Sequence, residues 1–141
     1  MDFIKCIDMS ASGMTAQRTR LNVISMNLAN ANTTRTEDGT PYRKQRAILR
    51  ADNDSTPFQD SLEARLSGVK VSEIVPIQGE FKRIFDPSHP DADEKGFVLL
   101  PNVNLVEEMV QMLNANRSFE ANASAIKSAK EMALKVIELG R

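Results

Sequence analysis

Over the first thirty positions apolar side chains recur three and four residues apart. Ile4, Ile7, Ala11, Met14, Leu21 and Leu28 fall on one repeat, interrupted by the polar Arg18 and Ser25. That spacing gathers them on one face of a helix. From Phe3 to about Asn30 the helix would be roughly 40 Å long at ~1.5 Å per residue, too long for a 141-residue chain to cover without a partner helix. The last stretch supplies one. Nothing from Asn102 to Leu139 breaks a helix, and Leu105, Met109, Met112, Phe119, Ala123, Ile126, Ala133 and Ile137 keep the same spacing, broken by Asn116 and Lys130. A second stripe, Ala121, Ala125, Ala129, Met132, Val136 and Leu139, lies beside the first. Two stripes exceed what one antiparallel neighbour buries, so further helices from other subunits are expected.

The ends of the second helix are marked in the sequence. Asn104 can cap its first turn with Glu107 three residues on, and Glu107 and Glu108 sit where the helix dipole favours anions. Gly140 suits the position after its end. Between the helices the pattern changes to short runs rich in β-branched and aromatic residues: Tyr42–Leu49, Val69–Val75, Phe81–Phe85 and Phe97–Leu100. Ala51–Ser61 is polar and reads as a surface loop. All six prolines fall between Pro41 and Pro101, which confines irregular backbone to the middle. Few short strands are marginal alone, so they should lean on the helices or on neighbours. The pattern therefore predicts a mainly α subunit with a small β-containing centre. Its long terminal helices pair as a coiled coil, in segments 1–34, 35–101 and 102–141 of an elongated assembly subunit.

Charge sharpens this division. Residues 1–50 carry eight basic and four acidic groups, residues 51–95 five and ten, and residues 96–141 five and five, although the formal net charge is only -1. A total near zero argues against nucleic acid or an anionic membrane as partner, and points to protein. Arg43, Lys44, Arg46 and Arg50 form the basic cluster; without a second basic face or stacking aromatics, it suits salt bridges to the acidic centre of a neighbouring subunit, with Arg43, Lys44 and Arg46 foremost. Met1–Asn30 is interrupted by Asp2, Lys5, Asp8, Arg18 and Arg20, which does not fit a cleaved secretory signal. No run reaches the roughly 18 to 20 apolar residues of a membrane span, so no direct membrane insertion is expected.

Chemistry has little to work with. His89 stands alone in the rigid Pro87-Ser88-His89-Pro90 turn, and the carboxylates of Asp86, Asp91, Asp93 and Glu94 around it match no calcium-loop spacing. Cys6 is the sole cysteine, which excludes an internal disulfide and a cysteine-based zinc site, and it reads as a small buried hydrophobe. Phosphate-loop and dinucleotide glycine patterns are absent. No catalytic, metal or cofactor residue is assigned, and no enzyme is expected.

Asparagine is more telling. Asn22, Asn27, Asn30, Asn32, Asn102, Asn104, Asn114, Asn116 and Asn122, nine of the ten, lie in the terminal stretches. It is a mediocre helix former whose amide both donates and accepts, so repeated use on long helices suits hydrogen bonds that fix register. Asn27-Leu28-Ala29-Asn30-Ala31-Asn32-Thr33-Thr34 resembles the asparagine-rich signature of the bacterial flagellar axial proteins, the rod, hook and hook-associated family. Further segments resemble its proximal-rod branch: Gly39-Thr40-Pro41-Tyr42-Arg43, the run from Asp86 to Phe97 leading into Pro101-Asn102-Val103-Asn104, Glu107-Glu108-Met109-Val110, and Ala115 to Asn122. On this resemblance tyrosine is expected in many relatives at the positions of Phe97 and Phe119.

That resemblance implies a structural subunit of the basal-body rod, exported by the flagellar type III apparatus without signal cleavage and polymerising with copies of itself and other rod proteins. It also implies terminal helices that line the export channel and carry torque. On this reading Ile7, Met14, Leu21 and Leu28 pack on Met109, Met112, Phe119, Ile126 and Ala133, with Asn27, Asn30, Asn116 and Asn122 setting register. The alternatives are a soluble coiled-coil adaptor or oligomerisation module, and an enzyme built on His89.

Overall fold

The computed structural model describes residues 3–52 and 67–140, so the expected loop Ala51–Ser61 lies, beyond Asp52, outside the described residues. In chain order the elements are α1 (Phe3–Ala29), β1 (Gln45–Ala51), β2 (Val69–Pro76), β3 (Lys82–Phe85), β4 (Phe97–Leu100) and α2 (Leu105–Leu139). Two long terminal helices thus flank a small β-containing centre.

Asn104 caps α2 from extended backbone, its side chain accepting from the N–H groups of Val106 and Glu107 at 3.1 and 3.5 Å. The capping box does not close, because Glu107 turns instead to Lys44 and Gln111. Gly140 ends the helix at φ -89°, outside the left-handed region, with its N–H on the Val136 carbonyl. Glycine's freedom is used instead in the central turns, at Gly39 (φ +73°) and Gly96 (φ +78°).

α1 and α2 pack side by side and antiparallel. Asn27 near the end of α1 bonds Glu108 near the start of α2, while Gly13 faces Asn122 so closely that an added Cβ would lie 2.9 Å from the Asn122 amide nitrogen. The interval from Gly13 to Asn27 equals that from Glu108 to Asn122, 14 residues on each helix, which fixes one register. On α2 the closest positions, Glu108, Ala115, Asn122 and Ala129, are seven apart, and the half-buried Met112, Phe119, Ile126 and Ala133 interleave with them. The α1 side is made by Gly13, Ala16, Arg20, Val23 and Asn27, spaced three and four apart. Ile7, Met14, Leu21 and Leu28 are half-buried on its flank.

The β-centre forms two separate antiparallel ribbons. β1 pairs with β2 from Gln45↔Pro76 to Ala51↔Val69, with a bulge between Ile48 and Leu49, and β3 pairs with β4 from Lys82↔Leu100 to Phe85↔Phe97. β1–β2 lies along α1, tied at one end through Asn27 to Gln45 and at the other through Ser12, whose hydroxyl accepts from Val69 N–H at 3.0 Å. Ser12 and Asn27 are about 22 Å apart at ~1.5 Å per helical residue. Seven extended residues span about 23 Å, so strand and helix match in length.

Candidate functional site

The densest polar chemistry sits where α1 ends, β1 begins and α2 starts. Asn27 is 1% exposed and uses all its hydrogen-bonding capacity there. Its amide nitrogen donates to the Gln45 carbonyl (2.9 Å) and to Glu108 Oε2 (3.0 Å); its oxygen accepts from Gln45 N–H (2.9 Å) and the Tyr42 hydroxyl (3.0 Å). Glu108 is equally buried, and its Oε1 lies 2.7 Å from Lys44 Nζ, which also reaches Glu107 Oε1 at 3.0 Å. Asn102 completes the junction: its oxygen accepts from Lys44 N–H and its nitrogen donates to Ile77 C=O, while Ile77 N–H donates to Lys44 C=O. Three distant segments meet at one charged knot, here called the neck.

The electrostatics follow from burial against pairing. Desolvation pulls the Lys44 ammonium down, but hydrogen bonds and charges from Glu108 and Glu107 outweigh it and leave its pKa above the ordinary lysine value. The Lys44 hydrogen bond and charge hold Glu107 below the usual carboxylate range. Burial, helped by the negative charge of Glu108, raises the Tyr42 phenol and keeps it a neutral donor to Asn27. A buried pair of this kind is costly to break from one side, since an unpaired buried charge remains.

The residues singled out from sequence separate clearly. Of the four register asparagines, Asn27 is the hub of the neck and Asn122 abuts Gly13. Asn30 instead closes its own helix on Met26 C=O, and Asn116 is exposed. Met109 points outward at 57% exposure, because Glu108, one position earlier and about 100° away on the helix, takes the inward place. Lys44, expected to bridge to a neighbour, is spent within the chain. Arg43 stacks its guanidinium 4.5 Å from the Phe81 ring and bonds Gln78, whereas Arg46 stays exposed without an ion pair among the described residues. His89 accepts from Asp91 N–H and shapes its own turn.

Sequence reasoning gave Glu108, Tyr42 and Asn102 no part in a site, although each lies in a segment that carries the family resemblance. Lys44 and Glu108 lie too far apart along the chain for a local pattern to pair them.

Outside the neck, surplus apolar surface dominates. Among the described residues seven apolar side chains are buried and eighteen large ones are exposed. Leu105, Val106, Met109, Val110 and Leu113 bare the first half of α2, and Met132, Leu134, Val136, Ile137 and Leu139 its last turns.

Known proteins resemble this sequence over most of its length. Residues 7–35 match the family model described as flagella basal body rod protein, and residues 94–139 that of the flagellar basal body rod FlgEFG protein C-terminal. The flagellar basal-body rod protein FlgC of Borreliella burgdorferi is 46% identical, with 94% of this chain and 93% of the relative aligned. The FlgC proteins of Bacillus subtilis (38%, 96% of each chain) and Salmonella typhimurium (37%, 100% of each chain) align as completely.

Proposed function

The chain belongs to the FlgC family of flagellar basal-body rod proteins, and from that premise we propose how its helices build the rod. It is a structural subunit of the flagellar basal body, in a family of rod components and not of enzymes, and it works among other rod proteins. No helix among the described residues is long and apolar enough to cross a membrane.

The proposed mechanism is polymerisation through the terminal helices of the proximal rod. α1 and α2 pair as a coiled coil, and the apolar faces they leave bare are covered by helices of neighbouring subunits. Segments 1–34 and 102–141 then form the wall around the export channel, and 35–101 the outer layer. The carrying observation is the contrast between a seven-residue repeat inside the helix pair and eighteen large hydrophobics outside it. Exposed apolar surface on this scale marks an interaction surface. Many lateral contacts along a tube add up, so torque passes without any single strong contact. Ile7, Met14, Leu21, Leu28, Met112, Phe119, Ile126 and Ala133 act at the helix pairing, Met109 at an outer contact. Export proceeds through the flagellar type III apparatus without signal cleavage.

Deleting the gene and viewing basal bodies by electron microscopy tests this reading. Membrane rings lacking a completed rod, restored by the wild-type gene, are expected. Normal flagella after deletion would overturn it in favour of a soluble adaptor.

A further inference from the structure

Between α1, β1 and α2, beside the neck, opens a cleft of about 480 Å³ walled by Arg20, Lys44, Arg46, Glu108 and Gln111. Lys44 is committed to Glu107 and Glu108, and Gln111 donates to Glu107. Arg20 and Arg46 are committed to nothing: neither makes a hydrogen bond or ion pair among the described residues, although Arg46 feels the charge of Glu107 through space. Counting Glu107, three cations face two carboxylates, so the cleft keeps one uncompensated positive charge and two planar guanidiniums suited to a carboxylate.

The complementary surface lies elsewhere on the same chain. The turn from Asp86 to Lys95 holds four carboxylates against one lysine, and Arg83 of β3 pairs with one of them, Asp93, at 3.6 Å, which leaves a net negative surface. Asp86 accepts from Ser88 N–H and Oγ, and Asp93 from the N–H groups of Lys95 and Phe97, which sets the backbone of the turn. Thr34 ties Asp91 to the loop after α1. Glu94 is exposed and has no partner among the described residues. An ordered acidic loop loses little entropy on docking.

We propose that the Arg20–Arg46 cleft is a carboxylate-binding site whose occupant is the acidic turn of a second copy of this chain, with Glu94 entering between the guanidiniums. The assignment rests on the rod-subunit reading and adds which surfaces meet. The two patches differ, so the contact is head-to-tail, the type that closes rings or winds helices. It also explains why a chain of net charge -1 segregates its charge so strongly between its first and middle thirds. Complementary patches of this kind set partner choice and register more than raw affinity.

The test uses the full chain in its host, with Cys6→Ser as background. Arg46→Cys and Glu94→Cys together, treated with a short bismaleimide, are expected to give a subunit dimer in isolated basal bodies, absent from either single variant. In parallel, Arg46→Glu should lower completed rods about tenfold, and adding Glu94→Lys should restore them to within about twofold. Circular dichroism of the isolated variants guards against simple misfolding. Normal rods from Arg46→Glu, no dimer in rods that assemble, or capture of a different protein at position 46 would each overturn the assignment. Since the deletion phenotype is read separately, those failures leave the rod-subunit reading standing.

Discussion

The neck and the far end of α2 lie on one helix and are built on opposite principles. At the neck, Glu108 and Asn27 are 1% exposed and nearly every polar atom has a partner supplied by the same chain. At the far end, Ile137 and Leu139 are 65% and 87% exposed. In the register set by Asn27 and Glu108, the start of α1 at Phe3 faces α2 near residue 132, so the last turns of α2 overhang their partner. One end settles its own register; the other offers surface for something outside the chain. Stability and assembly should therefore be separable by mutation.

The largest effect on stability belongs to the neck. Glu108→Ala leaves Lys44 buried without its closest counter-ion and should cost about 3–5 kcal/mol in urea unfolding of the isolated chain. Replacing both partners, Lys44→Met with Glu108→Leu, should recover most of it, because no charge is then stranded. A single-variant loss below about 1 kcal/mol would put this pair with exposed ion pairs and erase the contrast. Asn27→Ala is next, at about 1–3 kcal/mol for stranding Gln45 N–H and the Tyr42 hydroxyl. Hydrogen exchange at the Gln45 amide would report it directly.

These magnitudes also explain what could be read from sequence. Both helices were legible because the prolines are confined to the centre, Gly13 is the one glycine inside either helix, and Asn104 announces a cap; all four strands overlap the β-branched and aromatic runs, with β1 shifted toward Ala51. The closest face of the helix pair was legible only in part: Asn27 and Asn122 were expected to set register and Ala129 lies in the second stripe, but Gly13, Ala16, Glu108 and Ala115 carry no such mark. Small residues let backbones approach and polar ones lock register, yet neither registers as hydrophobic. The larger Met112, Phe119 and Ile126 pointed to its flank. Lys44 and Glu108 are 64 positions apart, and no local pattern connects them.

Midway between the two ends, Gly13 against Asn122 tests the register itself. Gly13→Ala should come out near neutral, since about 1 kcal/mol of helix propensity is offset by pushing the Asn122 amide aside. Gly13→Leu should cost about 1–3 kcal/mol by overpacking, and Asn122→Ala in the same chain should relieve part of it. Additive effects of the two changes would show that they do not touch.

Acid should probe the rim of the neck more gently. The folded pKa of Glu107 is depressed, chiefly by its hydrogen bond to Lys44, so its contribution is present above the ordinary glutamate pKa and is lost as pH falls through the depressed value. Its side chain is 54% exposed, so solvent screening holds the effect to about 0–1 kcal/mol. Glu107→Gln should flatten the acid limb of the stability profile by that amount, and an unchanged limb would mean that this pair adds nothing.

The smallest effect on stability should accompany a large effect on assembly. Ile137→Ser with Leu139→Ser removes apolar surface that is already in water, so the isolated chain should unfold within about 0.5 kcal/mol of wild type. In the assembled rod the same positions would meet a neighbour, and two polar side chains in an apolar contact forfeit its burial and leave hydroxyls needing partners. Cells carrying the double variant should export the chain normally yet complete few rods, counted by electron microscopy. A fall in monomer stability would mean that the overhang packs on its own chain. Full rod completion would mean that its apolar residues face no neighbour, and the separation of a self-settled neck from an offered end would fail at the offered end.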